Sequence, residues 1–143
     1  MKIVINVDYG GFGLSDEAVN RYFELKGLKL FNHLDEAWST SSYYTVPYEE
    51  YKQVHKNDMI KTEWEGKTEG VGRYEDSNKL CWSGVHEIER NDPALVQVVE
   101  EMDHLANNIY SQLKVVEIPD DVEWYVEEYD GWEWVAEVHR TWR

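Results

Sequence analysis

Leu95, Val98, Val99, Met102, Leu105, Ile109 and Leu113 recur at helical spacing behind an Asp92-Pro93 start, and this constrains the fold more than any other feature. An apolar stripe of that period must be buried against something. Proline suits the first helical turn, where its missing N–H costs nothing. The spacing predicts a core helix from 93 to 111. Leu113 to Ile118 then reads as a buried strand closed by Pro119, followed by a hairpin whose turn lies within Tyr129-Asp130-Gly131-Trp132.

At the other end, Lys2 to Val7 reads as a short buried strand. A glycine-rich loop with Gly10, Gly11 and Gly13 follows it. Ser15 is a good N-cap, Asp16 and Glu17 suit the first turn, and Leu14 with Val19 have the spacing of a hydrophobic staple. Ala18, Val19, Tyr22 and Phe23 form one apolar face, and Gly27 is placed to end the helix.

The hairpin register decides which residues face the core. A two-residue Asp130-Gly131 turn pairs Val126 with Val135 but Glu127 with Trp134 and Trp124 with Glu137, mixing charge and aromatic residues on both faces. A three-residue loop, Tyr129 to Gly131, instead gathers Val122, Trp124, Val126, Trp132, Trp134, Ala136 and Val138 on one face. That sorting favours the longer loop. It leaves Glu123, Glu127, Glu133 and Glu137 on the opposite face, with Tyr125 and Val135 between them; a solvated outer sheet surface is the simpler use, and a basic partner or a divalent cation the functional one. It also turns Trp124, Trp132, Trp134 and Trp142 towards the core.

Residues 28–90 mix aromatic and polar residues without a sustained period. A helix is expected from Pro47 to Lys56, carrying Tyr48, Tyr51, Val54 and His55 along one side. Short strands are expected at Ile60 to Trp64 and Lys79 to Trp82. Together these elements predict one α+β domain spanning 1–143, with 28–90 as a variable middle section. A mainly antiparallel sheet packs against the long helix, and the N-terminal helix flanks it.

With 14 Lys plus Arg against 29 Asp plus Glu, the formal net charge is -15, which opposes direct binding to nucleic acid or to an anionic membrane. No apolar run has the length of a signal peptide or a membrane span, so a soluble, cytoplasmic protein is expected. The single cysteine, Cys81, allows no internal disulfide and no Cys-paired zinc site. The five histidines form no metal-binding motif, and no nucleophile motif is present. No cofactor, metal or catalytic residue is expected, and an enzymatic role is not favoured.

Two stretches invite a ligand. The glycine loop could cradle phosphate at the helix N-terminus, but it lacks both the P-loop ending and the GxGxxG spacing, and Asp8, Asp16 and Glu17 bring negative charge there. A tight turn is the simpler use. Arg140, on the apolar face beside Trp142 in the favoured register, needs a carboxylate, an aromatic face or a bound anion. Arg90 and Arg143 could join it. An ion pair or cation-π contact is the simpler outcome for these too.

The stretches "KIVINVDYGGFGLSDEA", "ERNDPALVQVVEE", "LKVVEIPDDVEWYVEEYDG" and "EWVAEVHRTW" together resemble a family of small proteins encoded by bacteriophages and prophages. The resemblance covers residues 2–27 and 87–143. It implies a viral accessory protein acting in the cytoplasm of the infected bacterium, and it transfers no activity. The expected function is to counter host defence by binding, most concretely by sequestering a small nucleotide signal in an aromatic pocket. Assembly into a homo-oligomer is left open. The expected ligand-binding residues are Tyr9, Gly11, Phe12, Arg90, Arg140, Tyr43, Tyr44 and Trp82. An acidic, DNA-mimic-like inhibitor of a basic host protein, acting through Glu123, Glu127, Glu133 and Glu137, is the alternative. A nucleotide-signal hydrolase is the second.

Overall fold

The computed structural model of the chain describes residues 1–37, 40–64, 75–82 and 84–138, with the backbone alone at 40, 41, 61–64 and 75. In chain order the elements are β1 (Lys2–Asn6), α1 (Asp16–Leu25), β2 (Phe31–Asp35), β3 (Thr40–Tyr44), α2 (Tyr48–Trp64), α3 (Glu75–Asn78), α4 (Pro93–Met102), β4 (Leu113–Glu117), β5 (Trp124–Tyr129) and β6 (Trp132–Glu137). Short 3₁₀ turns lie at Val85–Glu87 and Asp103–Ala106. The fold is α+β, and the three described strand pairs are antiparallel: β1 with β4, β2 with β3, and β5 with β6. The chain forms two compact units, 1–28 with 85–143, and 29–84. The second unit lies inside the expected middle section. No helix among the described residues is long and apolar enough to cross a membrane.

In the first unit, β1 pairs with β4 from Lys2 opposite Glu117 to Asn6 opposite Leu113. Ile3, Val4 and Ile5 are buried, as are Leu95, Val96, Val98 and Val99 of α4 and Ala18, Val19, Tyr22 and Phe23 of α1. The expected start of α1 is present. Ser15 Oγ accepts the Ala18 N–H at 3.2 Å, Leu14 and Val19 are both buried, and Gly27 closes the helix at φ +73°. Asp92 caps α4 by accepting the Ala94 N–H at 2.9 Å. Its other oxygen accepts the Tyr22 hydroxyl at 2.7 Å and faces Lys26 Nζ at 2.9 Å, which ties the start of α4 to the C-terminal end of α1. Burial raises the Asp92 carboxyl pKa, but hydrogen bonds from Lys26, Tyr22 and the Ala94 N–H outweigh it and hold the group below its ordinary range.

The long helix is shorter than its periodicity predicts. α4 ends at Met102, and Asp103 adopts φ 52°. The expected core positions Leu105 and Ile109 are 61% and 87% exposed. Beyond the 3₁₀ turn, Asn108 Oδ1 accepts the Tyr110 N–H and Asn107 Oδ1 accepts the Leu113 N–H, each at 2.8 Å. These side-chain bonds take backbone donors from a continuing helix.

In the second unit, β2 and β3 form a hairpin with Phe31 opposite Tyr44, and Tyr44 packs against Tyr48 and Tyr51 of α2. Residues 60–64, expected as a strand, are the last turns of α2. The expected strand at 79–82 is reduced to a single bridge between Tyr44 and Cys81. Tyr44 is buried, not an exposed ligand platform, and burial raises its phenol pKa. Tyr51 beside it is half-buried, and its desolvation next to Cys81 pushes its phenol up to about 12.

The C-terminal hairpin takes the register that side-chain sorting disfavours. Val126 lies opposite Val135, Glu127 opposite Trp134 and Trp124 opposite Glu137, around a two-residue Asp130-Gly131 turn. Both turn residues have positive φ, 51° and 90°, as the turn that matches strand twist requires. Two of the acids that this register places among the rings and the core are satisfied there. Trp134 Nε1 donates to Glu127 at 2.8 Å, and Glu133 is buried against Arg90.

Candidate functional site

Cross-strand partners share a face, so the observed register divides the hairpin differently from expectation. Trp124, Val126, Glu128, Glu133, Val135 and Glu137 lie on one side. Tyr125, Glu127, Tyr129, Trp132, Trp134 and Ala136 lie on the other. The proposed four-glutamate surface therefore does not form as one face. Glu127 is on the opposite side from Glu133 and Glu137, and Glu133 is buried.

Glu133 is placed by a backbone need. In β1, the Val4 N–H donates to Arg90 O at 2.9 Å and the Asn6 N–H to Glu133 Oε1 at 2.7 Å, so the β1 edge turned away from β4 is closed by these two residues. Arg90 Nη1 and Nη2 then donate to the two oxygens of Glu133 at 2.6 and 2.8 Å, a bidentate pair. Nη1 also reaches Val4 O at 3.3 Å, and the guanidinium lies 3.6 Å over the Phe12 ring. Arg90 thus has both an ion pair and a cation-π contact.

The glycine loop is occupied by the protein itself. A Cβ on Gly10 would run into the Tyr110 backbone, and one on Gly13 into the Asn108 side chain. Ser15 Oγ donates to Leu105 O at 2.6 Å while capping α1. Asn6 Nδ2 bridges Asp8 O and Gly131 O at 2.7 and 2.8 Å. A Cβ on Gly131 would meet the backbone of Tyr9 and Gly11. The loop is a close-packed turn that receives the hairpin tip.

This docking brings Tyr9 to the outer hairpin face, its ring 5.2 Å from that of Trp132 and tilted by 52°. Tyr9, Tyr125, Tyr129, Trp132 and Trp134 are 61, 41, 72, 40 and 43% exposed. Glu127 holds two of the rings: Oε1 accepts the Tyr125 hydroxyl and Oε2 accepts the Trp134 indole N–H, each at 2.8 Å. The hydrogen bond to Glu127 raises the Tyr125 phenol pKa above its ordinary value. Five accessible aromatic rings around a fixed carboxylate form a surface that can stack flat groups and accept donors.

Of the residues expected to bind a ligand, Tyr9, Gly11, Phe12 and Arg90 meet in the first unit, and only Tyr9 belongs to this face. Tyr43 and Trp82 lie in the second unit, with ring centroids 5.7 Å apart. Arg140, like His139, Trp142 and Arg143, lies outside the described residues. Tyr125, Tyr129, Trp132 and Trp134 were not among the expected site residues. The Asp-Gly dipeptide, a strong signal for a two-residue hairpin turn, would have placed them outward.

A separate open groove of about 630 Å³ lies along Met1, Lys2, Pro93, Val96, Gln97 and Glu100, and none of the expected site residues line it. Among the described residues no group of His, Cys, Asp and Glu could hold a metal ion. No family model matches the chain, and no curated protein or solved structure matches it.

Proposed function

We infer that the chain is a non-enzymatic binding protein whose recognition surface is the aromatic face of the β5–β6 hairpin with Tyr9. One observation carries this reading: five aromatic side chains, each at least 40% exposed, share one surface of a small chain. Exposing large rings forgoes the hydrophobic gain of burying them, and a contiguous patch of them marks an interaction site. The resemblance to phage proteins supplies the biological setting, in which the chain acts in the bacterial cytoplasm on a component of host defence.

Nucleotide sequestration is less well supported. A phosphate-bearing ligand needs a cation, and Arg90 is engaged by Glu133. The test is to express the chain in bacteria that restrict a challenging phage. Restored phage growth with the wild type, lost in a Trp132→Ala/Trp134→Ala variant that accumulates equally, is expected. Equal restoration by the variant would overturn the role of the face, and no restoration by the wild type across a panel of defence systems would overturn the anti-defence role.

A further inference from the structure

We propose that the aromatic face binds an arginine-rich segment of a partner protein. This rests on the reading of that face as the recognition surface and specifies its occupant by charge. Residues 119–138 carry eight carboxylates and no Lys or Arg, within a chain of net charge -15. Arg90 neutralises Glu133 from the other side of the hairpin, so it does not offset Glu127 on the aromatic face.

The rings themselves favour a cation. A Trp N–H or Tyr O–H that donates to a carboxylate leaves its π system more electron-rich, and Trp134 and Tyr125 both donate to Glu127. A cation over such a ring is attracted by its negative face, most strongly for tryptophan. Glu127 uses one lone pair on each oxygen to hold the rings, which leaves acceptor capacity for an incoming guanidinium. The same molecule already forms this contact once, where the Arg90 guanidinium lies 3.6 Å over Phe12 while pairing with Glu133. The planar guanidinium suits both interactions better than the compact ammonium of lysine. A nucleobase would stack equally well on the rings, but its phosphates would meet the Glu127 carboxylate on the same face. A neutral sugar would gain nothing from the charge.

The experiment follows the indole N–H signals of Trp132 and Trp134 by NMR during titration of the full chain. The probes are a short Arg-Gly repeat peptide, the same peptide with citrulline for arginine, adenosine monophosphate and a neutral glucan oligosaccharide. The arginine peptide is expected to move both indole signals and to bind about tenfold or more tightly than the citrulline peptide. Its affinity should fall steeply between about 50 and 300 mM salt. Trp134→Ala should abolish binding, and Glu100→Gln, on the separate groove, should not.

Equal binding of the citrulline peptide, or binding of the nucleotide or glucan in place of the arginine peptide, would overturn the cationic occupant while leaving the face as the recognition surface. Failure of every probe to move the indole signals would also overturn it. The phage-restriction comparison, which uses no probe, separately decides whether the face itself is at fault.

Discussion

The Glu133 carboxylate accepts both terminal nitrogens of Arg90, at 2.6 and 2.8 Å, and the backbone N–H of Asn6 at 2.7 Å. One buried acid on the last strand thereby closes, together with the Arg90 carbonyl on Val4, the free edge of the first strand and fixes the face that β6 turns outward. The exposed position of Trp132 and Trp134 follows from the buried position of Glu133, because strand neighbours alternate.

Removing one member of this pair leaves the other buried without its partner. Arg90→Ala is expected to destabilise the fold by about 3–5 kcal/mol, measured as a lower urea midpoint with an unchanged slope. A loss below about 1 kcal/mol, the scale of an exposed ion pair, would mean that the contact is solvated.

The turn carries its own signature. Gly131→Ala adds a Cβ at φ +90° against the backbone of Tyr9 and Gly11. It is expected to cost more than the roughly 1–2 kcal/mol of left-handed strain alone. Asp130→Gly, at φ 51°, is expected to be tolerated within about 0.5 kcal/mol, because glycine adopts that conformation without steric penalty. Thermal melts of the two variants should therefore diverge, and equal loss in both would argue against this turn.

Alkali should weaken the fold. Burial, then the hydrogen bond to Asp92, raises the Tyr22 phenol pKa, and burial beside Cys81 pushes Tyr51 up to about 12. A raised folded-state pKa means stability that is full below the unfolded value of about 10 and lost as pH rises through the folded values. Asp92 is shifted the other way, so its contribution is present above about pH 4 and is lost as pH falls through its lowered value. Denaturation followed against pH should show both limbs. Tyr22→Phe should reduce the alkaline one, and an unchanged alkaline limb would contradict the burial of that hydroxyl.

Glu127→Gln removes the charge and replaces one acceptor oxygen by an amide, so Tyr125 and Trp134 no longer each have a carboxylate oxygen of their own. The Tyr125 ring signals, followed by NMR against pH, should titrate above the ordinary phenol value in the wild type and closer to it in the variant. An unchanged titration would mean that Glu127 does not hold the ring.

The parts of the fold legible from sequence are those set by neighbours along the chain. The Ser15 cap, the Leu14–Val19 staple, the Gly27 stop and the Asp92-Pro93 start all depend on contacts within a few residues. The end of α4 is masked in the sequence, because its apolar period continues through Leu105 and Ile109 while the side chains of Asn107 and Asn108 take the backbone donors. The hairpin register is not legible locally, because burying Glu133 is unfavourable until Arg90, distant in sequence, is brought to it. The glycines at 66, 70 and 72, read as turns, suggest a strand at Ile60 to Trp64 where α2 continues. β2 and β3, with sequences FNHLD and TSSYY, lack the apolar alternation that reveals a strand. At the site, Tyr9 was legible as an aromatic in a loop. The two tryptophans beside it depended on the register and moved from core to surface with it.

Cross-strand nuclear Overhauser effects test the central claim most directly, since the recognition face exists only in one register. Contacts of Glu127 with Trp134 and of Tyr125 with Ala136 across β5 and β6 are the expected result. Contacts of Val126 with Trp134 and of Trp124 with Ala136 would show the three-residue loop, turn Trp132 and Trp134 towards the core side, and remove the aromatic face on which the proposed function stands.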